Sequence, residues 1–99
     1  MTTKMRKSRG NVFEDLGFVP QEAKQLRIRS DLMAEIGKLI EARGLTQKEA
    51  AVLLRVSQPR ISDLVRGKIE RFSIDTLIAM LERAGARVTI TVRHPRRAA

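Results

Sequence analysis

Apolar residues follow a helical rhythm along most of the chain and switch to alternation near its end. Leu26, Leu32, Met33, Ile36, Leu39 and Ile40 recur at helical spacing and predict a helical stretch from Pro20 to Arg43 with one buried face. Pro20 suits a first turn, and Glu22 follows where negative charge favours the helix dipole. Asp31, Glu35, Lys38 and Glu41 decorate the outer face. Ser30-Asp31 offers a second N-cap, so one helix and two helices both fit; Gly44 is the stop. Ala50, Val52, Leu53 and Leu54 mark a helix over roughly Gln47–Leu54, and Ile61, Leu64 and Val65 mark the buried face of the next. Phe72 is a core anchor rather than a stacking ring. Ser73 caps a last helix, Ile74–Ala84, with Ile74, Leu77, Ile78 and Leu81 buried, Met80 at the edge as filler, and Gly85 as its stop. Val88, Ile90 and Val92 then alternate with polar residues, the period of a half-buried strand over Arg87–Arg93.

The most specific local signals lie between Leu45 and Lys68. Thr46 and Glu49 form a T-x-x-E capping box, in which each side chain satisfies a backbone donor of the other. Ser57 caps a second short helix, Pro59 sits in its first turn where a missing N–H costs little, and Gly67 ends it. With Ile61, Leu64 and Val65 inward, Gln58, Arg60, Ser62 and Asp63 are left outside. Gln and Arg can make bidentate contacts with base edges, and a helix N-terminus offers N–H groups to phosphate. Arg66 and Lys68 follow, placed to touch a DNA backbone, and Arg71 in the next loop lies beside it. Two short helices, the second with a free first turn, are what a helix-turn-helix requires.

Composition agrees. The 99 residues carry a formal net charge of +9, which points to a polyanionic partner, nucleic acid before membrane. Without cysteine, disulfides and thiolate metal sites are excluded, and no apolar run approaches a membrane span, so a cytoplasmic location is expected. The single histidine, His94, is in the C-terminal tail, and no phosphate loop or metal-hydrolase motif is visible; neither catalysis nor a metal or other cofactor is expected.

The residues T-Q-K-E-A-A…V-S-Q-P-R-I-S-D-L…G-K resemble the helix-turn-helix of the phage-repressor-like (Xre) regulators. The later F-S-I-D-T-L-I-A-M-L-E-R-A-G and the short closing strand are similar to their small HigA-like antitoxin subgroup. The resemblance covers about residues 21–93. It implies a mainly α, lambda-repressor-like bundle of four to five helices with one C-terminal β-strand paired across a dimer. It also implies that Gln47 contacts a phosphate, that Gln58, Pro59 and Asp63 read bases, and that Arg60, Arg66 and Lys68 contact the backbone. Two positions depart from the pattern. Pro59 can offer only apolar contact to a base, and Arg55 stands where glycine is usual, at a cost of about 1 kcal/mol if the turn is left-handed.

The ends leave alternatives open. Residues 1–19 read as a flexible basic segment in which Lys4, Arg6, Lys7 and Arg9 form either a disordered terminus or a DNA-reaching arm. Within it Val12, Phe13, Leu16, Phe18 and Val19 either fold back on the core or dock a protein partner. Residues 20–93 are the DNA-binding domain, and 94–99 a disordered tail. The lone strand 87–93 invites a partner for Val88, Ile90 and Val92: a second copy, or another protein's sheet. Self-pairing would give a homodimer with two reading heads roughly 34 Å apart on a palindromic operator in double-stranded DNA. Three functions follow: an autorepressor that, as the resemblance implies, is the antitoxin of a RelE/HigB-like toxin, a stand-alone phage or host regulator, and an interaction module without DNA binding.

Overall fold

The computed structural model describes residues 11–95. Within them lie α1 (Val12–Asp15), α2 (Pro20–Ala42), α3 (Gln47–Leu54), α4 (Gln58–Val65), a 3-10 turn (Ile69–Arg71) and α5 (Ile74–Arg83). The part of segment 1–19 that is described is a structured piece of the fold. Asn11 caps α1 by accepting from the Phe13 N–H at 2.8 Å and donates to the Ala23 carbonyl at 2.9 Å, which ties α1 to the first turn of α2. The Phe13 and Phe18 rings meet edge to face, 6.1 Å apart. Val12, Leu16, Phe18 and Val19 nevertheless stay exposed, so the cluster folds back on α2 without entering the core. The basic residues Lys4, Arg6, Lys7 and Arg9 lie outside the described residues.

The stretch from Pro20 is one helix, not two, and runs 23 residues. Asp31 does not start a new helix; its carboxylate lies 3.5 Å from Arg27, one turn back. At 1.5 Å per residue α2 is about 34 Å long, enough to act as a spine against which α1, α4 and α5 pack, while α3 packs on α4 and α5. Its Met33, Ile36 and Ile40 join Ala50, Ala51 and Leu54 of α3, Ile61 and Leu64 of α4, Phe72, and Leu77, Met80 and Leu81 of α5 in one buried cluster.

Two apolar assignments change. Val65 is 49% exposed rather than buried, because it borders an open groove of about 810 Å3 between α2 and α4, which Phe13, Met33, Gly37 and Ile69 also line. In α5 the buried stripe is Leu77, Met80, Leu81 and Ala84; Ile74 and Ile78 are half-buried at its edge, and Met80 is fully enclosed. The unbranched Met80 chain fills the space facing α2, a role its flexibility suits. In the first turn of α5, hydrogen bonding from Ser73 and from its own backbone holds the Asp75 carboxyl below its ordinary range, so it stays charged at the positive end of the helix.

No strand forms among the described residues. Val88 packs against the core, but Ile90 and Val92 are 72% and 70% exposed. The alternating pattern at 87–93 has no edge among the described residues to hydrogen-bond with, and a strand is defined by its partner.

Arg55 is the residue after α3 and adopts the left-handed conformation, φ 58° and ψ 48°. Arg55→Gly is expected to raise unfolding stability by about 1 kcal/mol, read by chemical denaturation. A loss of stability would mean that the arginine side chain contributes more than its backbone costs. Met80→Ala is expected to cost about 2–5 kcal/mol, and Ile78→Ala clearly less.

Candidate nucleic-acid interface

The geometry of the α3–turn–α4 unit is set by its caps. The Glu49 N–H donates to Thr46 Oγ1 at 3.1 Å, and the Thr46 N–H donates to Glu49 Oε1 at 2.9 Å, completing the capping box. At the other end of α3 the left-handed Arg55 lets the Val56 N–H return to the Ala51 carbonyl at 3.1 Å. Arg83 of α5 donates to the free Leu54 carbonyl at 3.0 Å, closing that end. Ser57 then opens α4 by accepting the Arg60 N–H at 3.3 Å. Pro59 occupies the first turn, where no intrahelical donor is lost. Gly67, at φ 74°, closes α4: its N–H reaches the Leu64 carbonyl and the Lys68 N–H reaches the Asp63 carbonyl, both at 3.0 Å.

Burial of Ile61 and Leu64 decides which face of α4 remains outside. Gln58 and Pro59 are exposed at its N-terminus, and with Ser62 and Gln47 of α3 they line a shallow cleft of about 370 Å3. The fold thus brings Gln47, Gln58 and Pro59 together. It adds Ser62, one turn beyond Gln58, whose position was legible from the i,i+4 relation but whose share in the cleft was not. Arg66 is exposed at the C-cap of α4 and Lys68 is half-buried just beyond.

Three other candidates are engaged within the protein. Arg60 donates from Nη1 to the Arg71 carbonyl at 2.8 Å, and its guanidinium carbon stands 5.3 Å from the centre of the buried Phe72 ring. Arg71 in turn donates from Nη1 to Asp63 Oδ2 at 3.2 Å. The Asp63 side chain is only 17% exposed. So Arg60, Asp63 and Arg71, expected as backbone, base and backbone contacts, meet one another on the flank of α4 away from Gln47.

Two more arginines serve helix ends. Arg83 caps α3 as described, and Arg43 donates to the Ala84 carbonyl at the end of α5 at 2.8 Å. Cations there complement the negative end of each helix. Sequence reading had no signal for either, since their partners are 29 and 41 residues away. Among the described residues there is no cluster of acidic, histidine or cysteine side chains that could hold a metal ion, and no helix long and apolar enough to cross a membrane.

Comparison with known proteins places this architecture. A family model described as a helix-turn-helix domain matches residues 12–93. The chain is similar to a solved structure of a protein assigned to the XRE family of transcriptional regulators, with 30% sequence identity and a TM-score of 0.72, over 79% of this chain and 90% of the other. No curated protein matches significantly. A capped two-helix unit with a free N-terminal face, a family match across nearly the whole described chain and this likeness together show that the chain belongs to the XRE-type helix-turn-helix family.

Proposed function

We propose that the protein is a sequence-specific DNA-binding transcriptional regulator that inserts the first turn of α4 into the major groove. The observation that carries this is the division of α4: Ile61 and Leu64 are buried while Gln58, Pro59 and Ser62 stand outside beside Gln47. A glutamine there can pair with an adenine edge, Ser62 can donate or accept, and Pro59 can contact a thymine methyl. Gln47, Arg66 and Lys68 flank them as phosphate contacts, and the Gln58 N–H at the start of α4 adds to these. The likeness to an XRE family regulator supports the same reading.

The finer reading is an autorepressor that acts as a homodimer and as the antitoxin of a type II pair. The dimer is supported by Ile90 and Val92, an exposed alternating segment without a partner edge among the described residues. Its economical completion is an antiparallel ribbon with a second copy, which sets two reading heads on a palindrome. The antitoxin role rests on the sequence likeness of about residues 21–93 to HigA-like regulators. The apolar surface of Val12, Leu16, Phe18 and Val19, unused by the domain itself, favours a protein partner beyond DNA.

Gln58→Ala is expected to cost about 1–3 kcal/mol of specific binding and to relax preference at one base pair per half-site. Lys68→Ala is expected to weaken all sequences alike and to flatten the salt dependence by about one phosphate per subunit. Affinity measured on a panel of base-substituted duplexes at several salt concentrations separates the two. Unchanged discrimination in Gln58→Ala would remove α4 as the reading helix. For the dimer, Ile90→Asp is expected to convert a concentration-independent dimer into a monomer in analytical ultracentrifugation, with little change in the secondary-structure signal. A dimer that survives this change would have its interface elsewhere.

A further inference from the structure

We propose that Arg60, Asp63 and Arg71 form a reciprocal clamp that positions α4 and do not contact DNA in the free orientation of the helix, leaving sequence reading to Gln58 and Ser62. The inference rests on the reading of α4 as the recognition helix. Its ground is the way the two flanks of α4 are occupied. Gln58 and Ser62 are i,i+4 neighbours on the flank facing Gln47. Arg60 and Asp63 are i,i+3 neighbours on the flank facing the loop after α4, and both are tied to it.

The two ties run in opposite senses. Arg60 reaches from the helix to the backbone of the loop, at the Arg71 carbonyl, and lies over Phe72. Arg71 reaches from the loop back to the Asp63 carboxylate. Phe72 is 2% exposed and belongs to the core, so the clamp is anchored on its loop side. A planar, forked guanidinium suits both duties of Arg60, since it can donate along its plane while its face rests on a ring. An ammonium cannot do both. For Asp63 the pairing settles a difficulty. A free carboxylate facing DNA would repel phosphate, whereas here its charge is balanced by Arg71 and its exposure is small. Arg71 is correspondingly withheld from the DNA backbone.

The clamp changes what two substitutions should do. The probes are the duplex immediately upstream of the protein's own gene and a random duplex of equal length, measured well below the melting temperature. Arg60→Ala is expected to lower the melting temperature without DNA and to lower affinity for the upstream duplex at least tenfold, with the salt slope unchanged. Arg60→Lys, which keeps the charge, should recover little of either. A role confined to stability would leave the affinity of the folded variant intact. Asp63→Asn is expected to free Arg71: both duplexes should bind more tightly at low salt, base preference should not change, and affinity should fall about 12-fold more steeply between 50 and 200 mM salt, the effect of one added phosphate contact per subunit of a dimer.

A salt slope shallower by about one phosphate in Arg60→Ala, or full rescue by lysine, overturns the positioning role of Arg60. Altered preference at a base pair in Asp63→Asn makes Asp63 a reader and overturns the clamp. If the wild type does not distinguish the two duplexes, the recognition reading itself fails. Hydrogen exchange then still decides the clamp without DNA: faster exchange at Lys68 and Phe72 in Arg60→Ala supports it, and unchanged exchange overturns it.

Discussion

The face that α4 turns outward depends on the burial of Ile61 and Leu64 in the core that α2, α3 and Phe72 share. An eight-residue helix is far too short to hold its shape alone in water. Its form and its orientation come from that apolar contact, which replaces the nucleation cost with packing. The contact also selects the outward face, because two buried positions on so short a helix leave little rotational freedom. The rest of the molecule is arranged to keep the seat rigid: α2 as a spine, α3 as a buttress, and α5 closing the far side with Leu77, Met80 and Leu81.

The charge of the protein divides between internal and external duties. Arg43 and Arg83 cap the ends of α5 and α3, and Arg60 and Arg71 bind the loop to α4. These arginines hold the domain together through charge-assisted hydrogen bonds to carbonyls and a carboxylate. Gln47, Gln58 and Pro59 stay exposed at the start of the two short helices, with Arg66 exposed and Lys68 half-buried at the end of α4. A net charge of +9 therefore overstates the number of side chains free to meet phosphate. It describes long-range attraction better than it describes contacts.

Legibility followed the range of each interaction. The capping box at Thr46 and Glu49, the Ser57 cap and the Gly67 stop are all closed within one helical turn, and the sequence displays them directly; the left-handed turn at Arg55 entered only as a condition, from a position where the resembled family has glycine. Phe72 as a core anchor was also readable, because an isolated aromatic before a capped helix has few other uses. Periodicity placed the helices but could not rank Met80 above Ile78, nor foresee that Val65 would border a groove, since both depend on what α2 puts opposite. The mutual contacts of Arg60, Asp63 and Arg71 were not legible, because only the fold brings the loop beside α4. The strand expected at 87–93 is a different case: its alternation is plain, but strand geometry needs an edge that the described chain does not contain.

The most direct test of the central claim is a hydroxyl-radical footprint of the wild-type protein on the DNA immediately upstream of its own gene, taken over a salt series. Two protected stretches are expected, with centres roughly 34 Å apart along the duplex. Affinity is expected to fall on the order of 100-fold between 50 and 200 mM salt, as for about four phosphate contacts. Uniform protection, or binding no tighter than to a random duplex, would contradict the assignment of the α4 face as a sequence-reading surface.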